Sequence, residues 1–142
     1  NPDDTKDSIQ ANLEFARRYV DWPYIQHPTP YPGTPMAQDF IKRGLIINDR
    51  LEEYDGTTAV VRSEQMQAED IEYMRWKAER WMKARHLPRA FTHEPWFIAR
   101  NALKIMRHTF RGSSLKSVFG LESDREVFRR YRGIRATERT YL

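Results

Sequence analysis

Residues 27–35 read HPTPYPGTP, with four prolines and a glycine in nine positions. The preceding residues 22–26, WPYIQ, have strand composition, and residues 36–44, MAQDFIKRG, read as a short helix. Thr34 and Pro35 fit the cap and first position of that helix, because a hydroxyl accepts an orphan amide and proline needs no donor there. Gly44 suits the left-handed position just past its end. Pro23 counts against a fully paired central strand. A buried strand that turns stiffly into a helix is the arrangement of a parallel sheet covered by crossover helices. Two readings of the elbow stand side by side. It is either ordinary turn chemistry or a ligand-holding loop, since ligands in parallel α/β folds lie beyond the strand ends.

Upstream, Asp3, Asp4 and Thr5 offer capping oxygens, and Ile9, Leu13, Ala16 and Val20 recur on one helical face until Asp21. Asp3 and Asp4 are adjacent at a helix start, which favours capping over a catalytic carboxylate pair. Downstream, Asp55-Gly56 signals a turn, and residues 57–61 are β-branched enough for a short strand or extended segment. A long helix is expected over residues 68–85, with Ile71, Met74, Ala78, Trp81 and Met82 as its apolar stripe and Pro88 closing it. Glu94-Pro95 opens another. Its apolar face is Trp96, Ala99, Leu103, Met106 and Phe110, and Arg100, Lys104, Arg107 and Arg111 share a different face. Ser123 to Glu126 fit a capping box ahead of a last helix that turns Val127, Phe128, Tyr131 and Ile134 inward.

The bulk properties exclude several classes. The chain has 142 residues, 39% of them hydrophobic and 31% charged, and no apolar run approaches the ~20 residues of a spanning helix. Residues 1–10 lack the basic start and apolar stretch of a secretion signal. There is no cysteine, so disulfides, thiolate nucleophiles and cysteine-held metals are excluded within these residues. The histidines at 27, 86, 93 and 108 give no metal-ligand spacing, and no metal site is expected. The net charge of +4 is uneven: residues 1–85 carry 12 Lys/Arg against 15 Asp/Glu, and residues 86–142 carry 12 against 5.

NPDDTKDSIQANLEFA followed by DWPYIQHPTPYPGTP resembles the later βα units of the radical S-adenosylmethionine superfamily, in the branch associated with cobalamin-binding domains. Residues 1–5 resemble the end of a strand-to-helix turn, Thr29 to Pro35 the family's Thr-Pro-rich elbow, and residues 52–82 its following segment. The resemblance implies an α/β fragment, the last βα units of a partial TIM-type barrel, followed by a mainly helical extension. It divides the chain into barrel (1–48), connecting segment and long helix (49–88) and basic helical extension (89–142). It implies S-adenosylmethionine, a [4Fe–4S] iron–sulfur cluster and possible cobalamin use in a longer parent enzyme. The cluster's cysteines would lie in a missing N-terminal half of the same protein. The absence of an initial Met fits that expectation. The chain by itself is then expected to be inactive.

Carried over residue by residue, the resemblance places Ile25, Gln26 and His27 near the adenine of S-adenosylmethionine. Alternation sets Tyr24 and Gln26 on one face, Ile25 and His27 on the other. The resemblance makes the first face the barrel interior. His27 then points toward the helical layer, so a structural histidine is favoured over an acid/base, and no catalytic residue is assigned. The competing class is a non-catalytic basic helical module that binds a membrane surface or a protein partner. Nucleic acid ranks last, for want of a stacking or helix-turn-helix signature. The expected setting is cytoplasmic, at the membrane periphery, with a small-molecule or lipid-like substrate.

Overall fold

The computed structural model of the chain describes residues 1–20 and 23–137, with the backbone alone at 115 and 118. Its α-helices are α1 (Lys6–Tyr19), α2 (Pro35–Lys42), α3 (Ala68–His93), α4 (Pro95–Thr109), α5 (Leu115–Val118) and α6 (Asp124–Thr137), with a 3₁₀ turn at Leu51–Glu53. The chain divides into two compact units, Asn1–Arg75 and Trp76–Leu142, and α3 runs through the boundary.

The expected α/β fragment of a partial TIM-type barrel is not what forms. The described residues contain no strand or sheet, only one isolated antiparallel bridge between Ile46 and Val61. Residues 23–30 have no regular secondary structure and join no ladder, and Tyr24 is 68% exposed. Asp21 and Trp22 lie outside the described residues. The physical reason is donor supply. Pro23, Pro28 and Pro30 have no amide hydrogen, so this segment offers a partner strand too few bonds.

What holds this segment instead is a set of single bonds to the turn at Gly56 and to Arg75 on α3. The His27 amide donates to the Gly56 carbonyl at 2.7 Å. Arg75, buried on α3, donates through Nε to the Ile25 carbonyl and through Nη1 to that of Thr57. The Asp55 carboxylate accepts from the Thr57 and Thr58 amides, closing the turn in which Gly56 takes a φ of 70°. That left-handed backbone is one glycine adopts without strain.

The elbow's capping works as read. Thr34 Oγ1 accepts from the Ala37 amide, Pro35 takes the first helical position, and Gly44 ends the helix at a φ of 64°. α2 buries Ala37 and Phe40, and Phe40 joins Leu45, Tyr54, Val60 and Val61 in the core of this unit. Thr5 and Ser8 form the reciprocal cap of α1, whose expected face at Ile9, Leu13 and Ala16 is half-buried. Arg43 gathers the carboxylates of Asp39, Asp3 and Glu64 at 3.0, 2.8 and 2.9 Å. All are substantially exposed, so salt screens much of their attraction.

α3 departs from expectation in length and face. It continues past Pro88 to His93. Its buried positions are Ala68, Glu72, Arg75, Trp76, Glu79 and Met82, a helical stripe that includes three charged residues. Of the expected stripe Met82 is buried, Ile71, Met74 and Ala78 are half-buried, and Trp81 stays exposed.

In the second unit Trp76 packs against Phe128 and Tyr131 of α6, with ring centroids 5.5 and 6.1 Å apart. Phe128 and Val127 are buried, while Tyr131 and Ile134 are half-buried, as the sequence pattern indicates. The turn after α4 needs glycine at 112 twice over. Its φ is 83°, and a β-carbon there would stand 3.0 Å from the Tyr131 backbone. Arg130 reaches the Gly112 carbonyl at 2.9 Å and pairs with Glu122, whose carboxyl those contacts and Ser114 hold below the ordinary range.

On α4 the apolar face marked by the sequence pattern is turned to solvent. Half-buried and buried positions fall at Ile98, Ala102, Ile105 and Thr109, whereas Trp96, Ala99, Leu103, Met106 and Phe110 face solvent. No helix among the described residues is long and apolar enough to cross a membrane.

Candidate functional site

Ile25, Gln26 and His27 stand where the elbow begins, but they do not converge on one recess. The Ile25 carbonyl is taken by Arg75. The exposed Gln26 side chain lies along Gly56, where an added β-carbon would stand 3.4 Å from it. His27 is buried and borders a cavity of about 20 Å³ with Asp4, Ile9, Pro28, Ser63 and Ile71. That volume holds about one water molecule, so it is smaller than a nucleobase. Ser63 closes one side by donating to the Asp4 carbonyl at 2.7 Å and accepting from the Met66 amide at 2.9 Å.

A second recess lies in the Trp76–Leu142 unit. It holds about 60 Å³ and is lined by Trp76, Glu79, Arg80, Lys83, His108 and Arg111 among others. α3 supplies the first four at helical spacing, and α4 and its following turn supply the rest. The Arg80 guanidinium lies 5.3 Å from the Trp76 ring and 5.6 Å from that of Phe110, and its Nη2 donates to Ser113 Oγ. Its Nη1 is buried with no hydrogen-bond partner. Burial lowers the Arg80 pKa, with Asp124 opposing. The aromatic faces replace part of the lost hydration of the cation. Lys83 reaches Glu79 at 3.4 Å. The recess therefore has room for about three waters. Sequence reasoning missed it, because its cations are single residues on two helices with no motif between them.

His108 is exposed at the surface, and partial desolvation at the rim of the recess still lowers it below its ordinary pKa of 6.5, with Lys83 and Arg111 adding to the effect and Glu79 opposing it. A base with a lowered folded pKa binds protons more tightly when unfolded. Stability of this unit is therefore expected to fall as pH drops through about 6.5 toward the lower folded value. Urea titrations across that range check it. His108→Gln is expected to flatten the part of the pH dependence that His108 contributes.

No family model matches the chain, and no solved structure matches it. One curated relative is an uncharacterized methyltransferase of Pyrococcus horikoshii, 27% identical over 78 residues. The match covers 54% of this chain and 17% of the relative. These findings overturn the resemblance to the radical S-adenosylmethionine superfamily. No barrel unit forms among the described residues, and these include no cysteine and no group of three His, Asp or Glu placed to hold a metal. The [4Fe–4S] cluster and partial-barrel expectations fall with it. The Thr-Pro-rich elbow that suggested the family is accounted for by local turn chemistry at Gly33, Thr34 and Pro35.

Proposed function

We propose that this chain is a helical, non-catalytic part of a methyltransferase, with the methyl donor and the reacting atoms held by other parts of that enzyme. The observation that supports this reading is the 78-residue similarity to a protein named as a methyltransferase. The described cavities are consistent with it. Recesses of about 20 and 60 Å³ do not fit S-adenosylmethionine, the donor this reading favours, so no step is assigned to these residues. Their contribution is a scaffold: a capped elbow clamped by Arg75, and a helical unit built on Trp76 and Phe128.

The test is to tag the native protein that carries this sequence, purify it from its source, and incubate it with radiolabelled S-adenosylmethionine and cell-extract fractions. Label is expected to enter an extract component in the presence of the native protein, and none in the presence of residues 1–142 alone. Methyl transfer by residues 1–142 alone would refute the non-catalytic role. A native protein that transfers no label to any fraction would refute the methyltransferase reading.

A further inference from the structure

Helix α4 divides its circumference into three arcs. Ile98, Ala102, Ile105 and Thr109 form the half-buried to buried arc that packs on its own unit. Beside it, Trp96, Leu103 and Met106 are 85%, 84% and 56% exposed, with Ala99 and Phe110 between them. At 3.6 residues per turn this solvent-facing apolar arc covers roughly 80°. Next around the helix come Arg107, Arg100, Arg111 and Lys104, covering roughly another 60°. Phe97, also exposed, lies beyond them. Residues 95–111 contain no Asp or Glu. Arg100, Lys104 and Arg107 have no ion pair among the described residues.

Two costs go uncompensated in this arrangement. Large apolar side chains stand in water along the helix, and three cations lie beside them without a counter-charge. An anionic lipid surface relieves both at once. Its acyl boundary takes Trp96, Leu103 and Met106, and its headgroup phosphates take the guanidinium and ammonium groups. Long Arg and Lys stems let the charged heads reach outward while their methylenes follow the apolar arc down. Indole at one end of such an arc suits the headgroup level. The charge pattern selects this occupant: residues 95–111 carry cations and no carboxylate beside the apolar arc, the pattern of a helix that lies on an anionic lipid surface.

We propose that α4 is an in-plane membrane-surface helix that docks this unit on anionic lipid through Trp96, Leu103 and Met106, with Arg100, Lys104 and Arg107 on the headgroups. The face stands on its own geometry and does not depend on the methyltransferase reading.

Co-sedimentation with phosphatidylcholine vesicles, with and without phosphatidylglycerol, tests it on the full chain. Binding is expected only with the anionic lipid and should fall as salt is raised. The triple variant Arg100→Gln, Lys104→Gln, Arg107→Gln should weaken it about a hundredfold. Leu103→Ser should weaken it about tenfold or more, since an exposed leucine then gains nothing from the acyl boundary. These positions are exposed, so circular dichroism is expected to show the fold retained. Ile41→Ser, exposed on α2, should change nothing. Equal binding to both vesicle types, or binding to neither, overturns the proposal. So does retention of RNA or an acidic protein by the same cations when vesicles are ignored.

Discussion

Replacing Phe128 by alanine is expected to cost about 3–5 kcal/mol and to bring the Trp76–Leu142 unit close to its unfolding threshold. The side chain is 0% exposed and stacks at a tilt on Trp76. Truncation removes the buried ring and leaves a void that two helices anchored by side-chain contacts cannot close fully. The scale of the loss decides the outcome. A unit of this size is stabilised by about 0.05–0.15 kcal/mol per residue, so one such cavity removes most of the margin. Amide exchange over residues 76–137 reads the result directly, and a thermal melt should shift down by about 20 °C or more. Phe128→Leu keeps most of the volume and should cost well under half as much. Native-like protection in the alanine variant would show that Trp76 and Phe128 do not form the unit's core.

The second large effect is expected at Arg75. Its guanidinium joins the Ile25 and Thr57 carbonyls, thirty-two residues apart, and is buried while doing so. Arg75→Met removes two charge-assisted bonds of about 1.5–3 kcal/mol each, offset in part because a buried cation is no longer desolvated. Glu72, buried on the same face of α3, is then left in a less favourable field. The net cost should be about 2–4 kcal/mol. The signature is local: the His27 amide, bonded to Gly56, should exchange much faster than the amides of Leu45 and Arg62, bonded to the Phe40 and Leu45 carbonyls. Arg75→Lys should not restore protection, because one ammonium lacks the planar fork that serves both carbonyls. Full rescue by lysine would mean that charge alone, and not the two-point clamp, holds residues 23–30.

The elements that were legible in the sequence are those whose signals are local. Thr5, Thr34 with Pro35, Gly44, and Ser123 with Glu126 each announce a helix end through atoms within a few residues. The faces were less legible. Glu72, Arg75 and Glu79 hide the buried side of α3, because charged residues read as solvent-facing until distant carbonyls and cations partner them. In α4 apolar residues occupy two arcs, and periodicity alone does not choose between Ile98-Ile105 and Leu103-Met106 as the inward one. Strand pairing is non-local. WPYIQ carries strand composition, but the sequence contains nothing that obliges a partner to arrive, and none does among the described residues. The recess around Arg80 depends wholly on how α3, α4 and the turn at Gly112 meet, which no spacing encodes.

Pro88 gives α3 two natural lengths. A proline inside a helix costs about 3 kcal/mol, while each residue added beyond it returns at most about 0.3 kcal/mol from propagation. Local terms alone therefore favour stopping at Leu87. Of the five residues that follow the proline, only Ala90 is half-buried and the rest are exposed, so little packing offsets the difference. The last turn of α3 is thus an adjustable length of chain. With it wound, Glu94 alone separates α3 from α4. With it unwound, residues 88–94 become a tether of about 23–25 Å at full extension, and the reach of α4 is set by which length prevails.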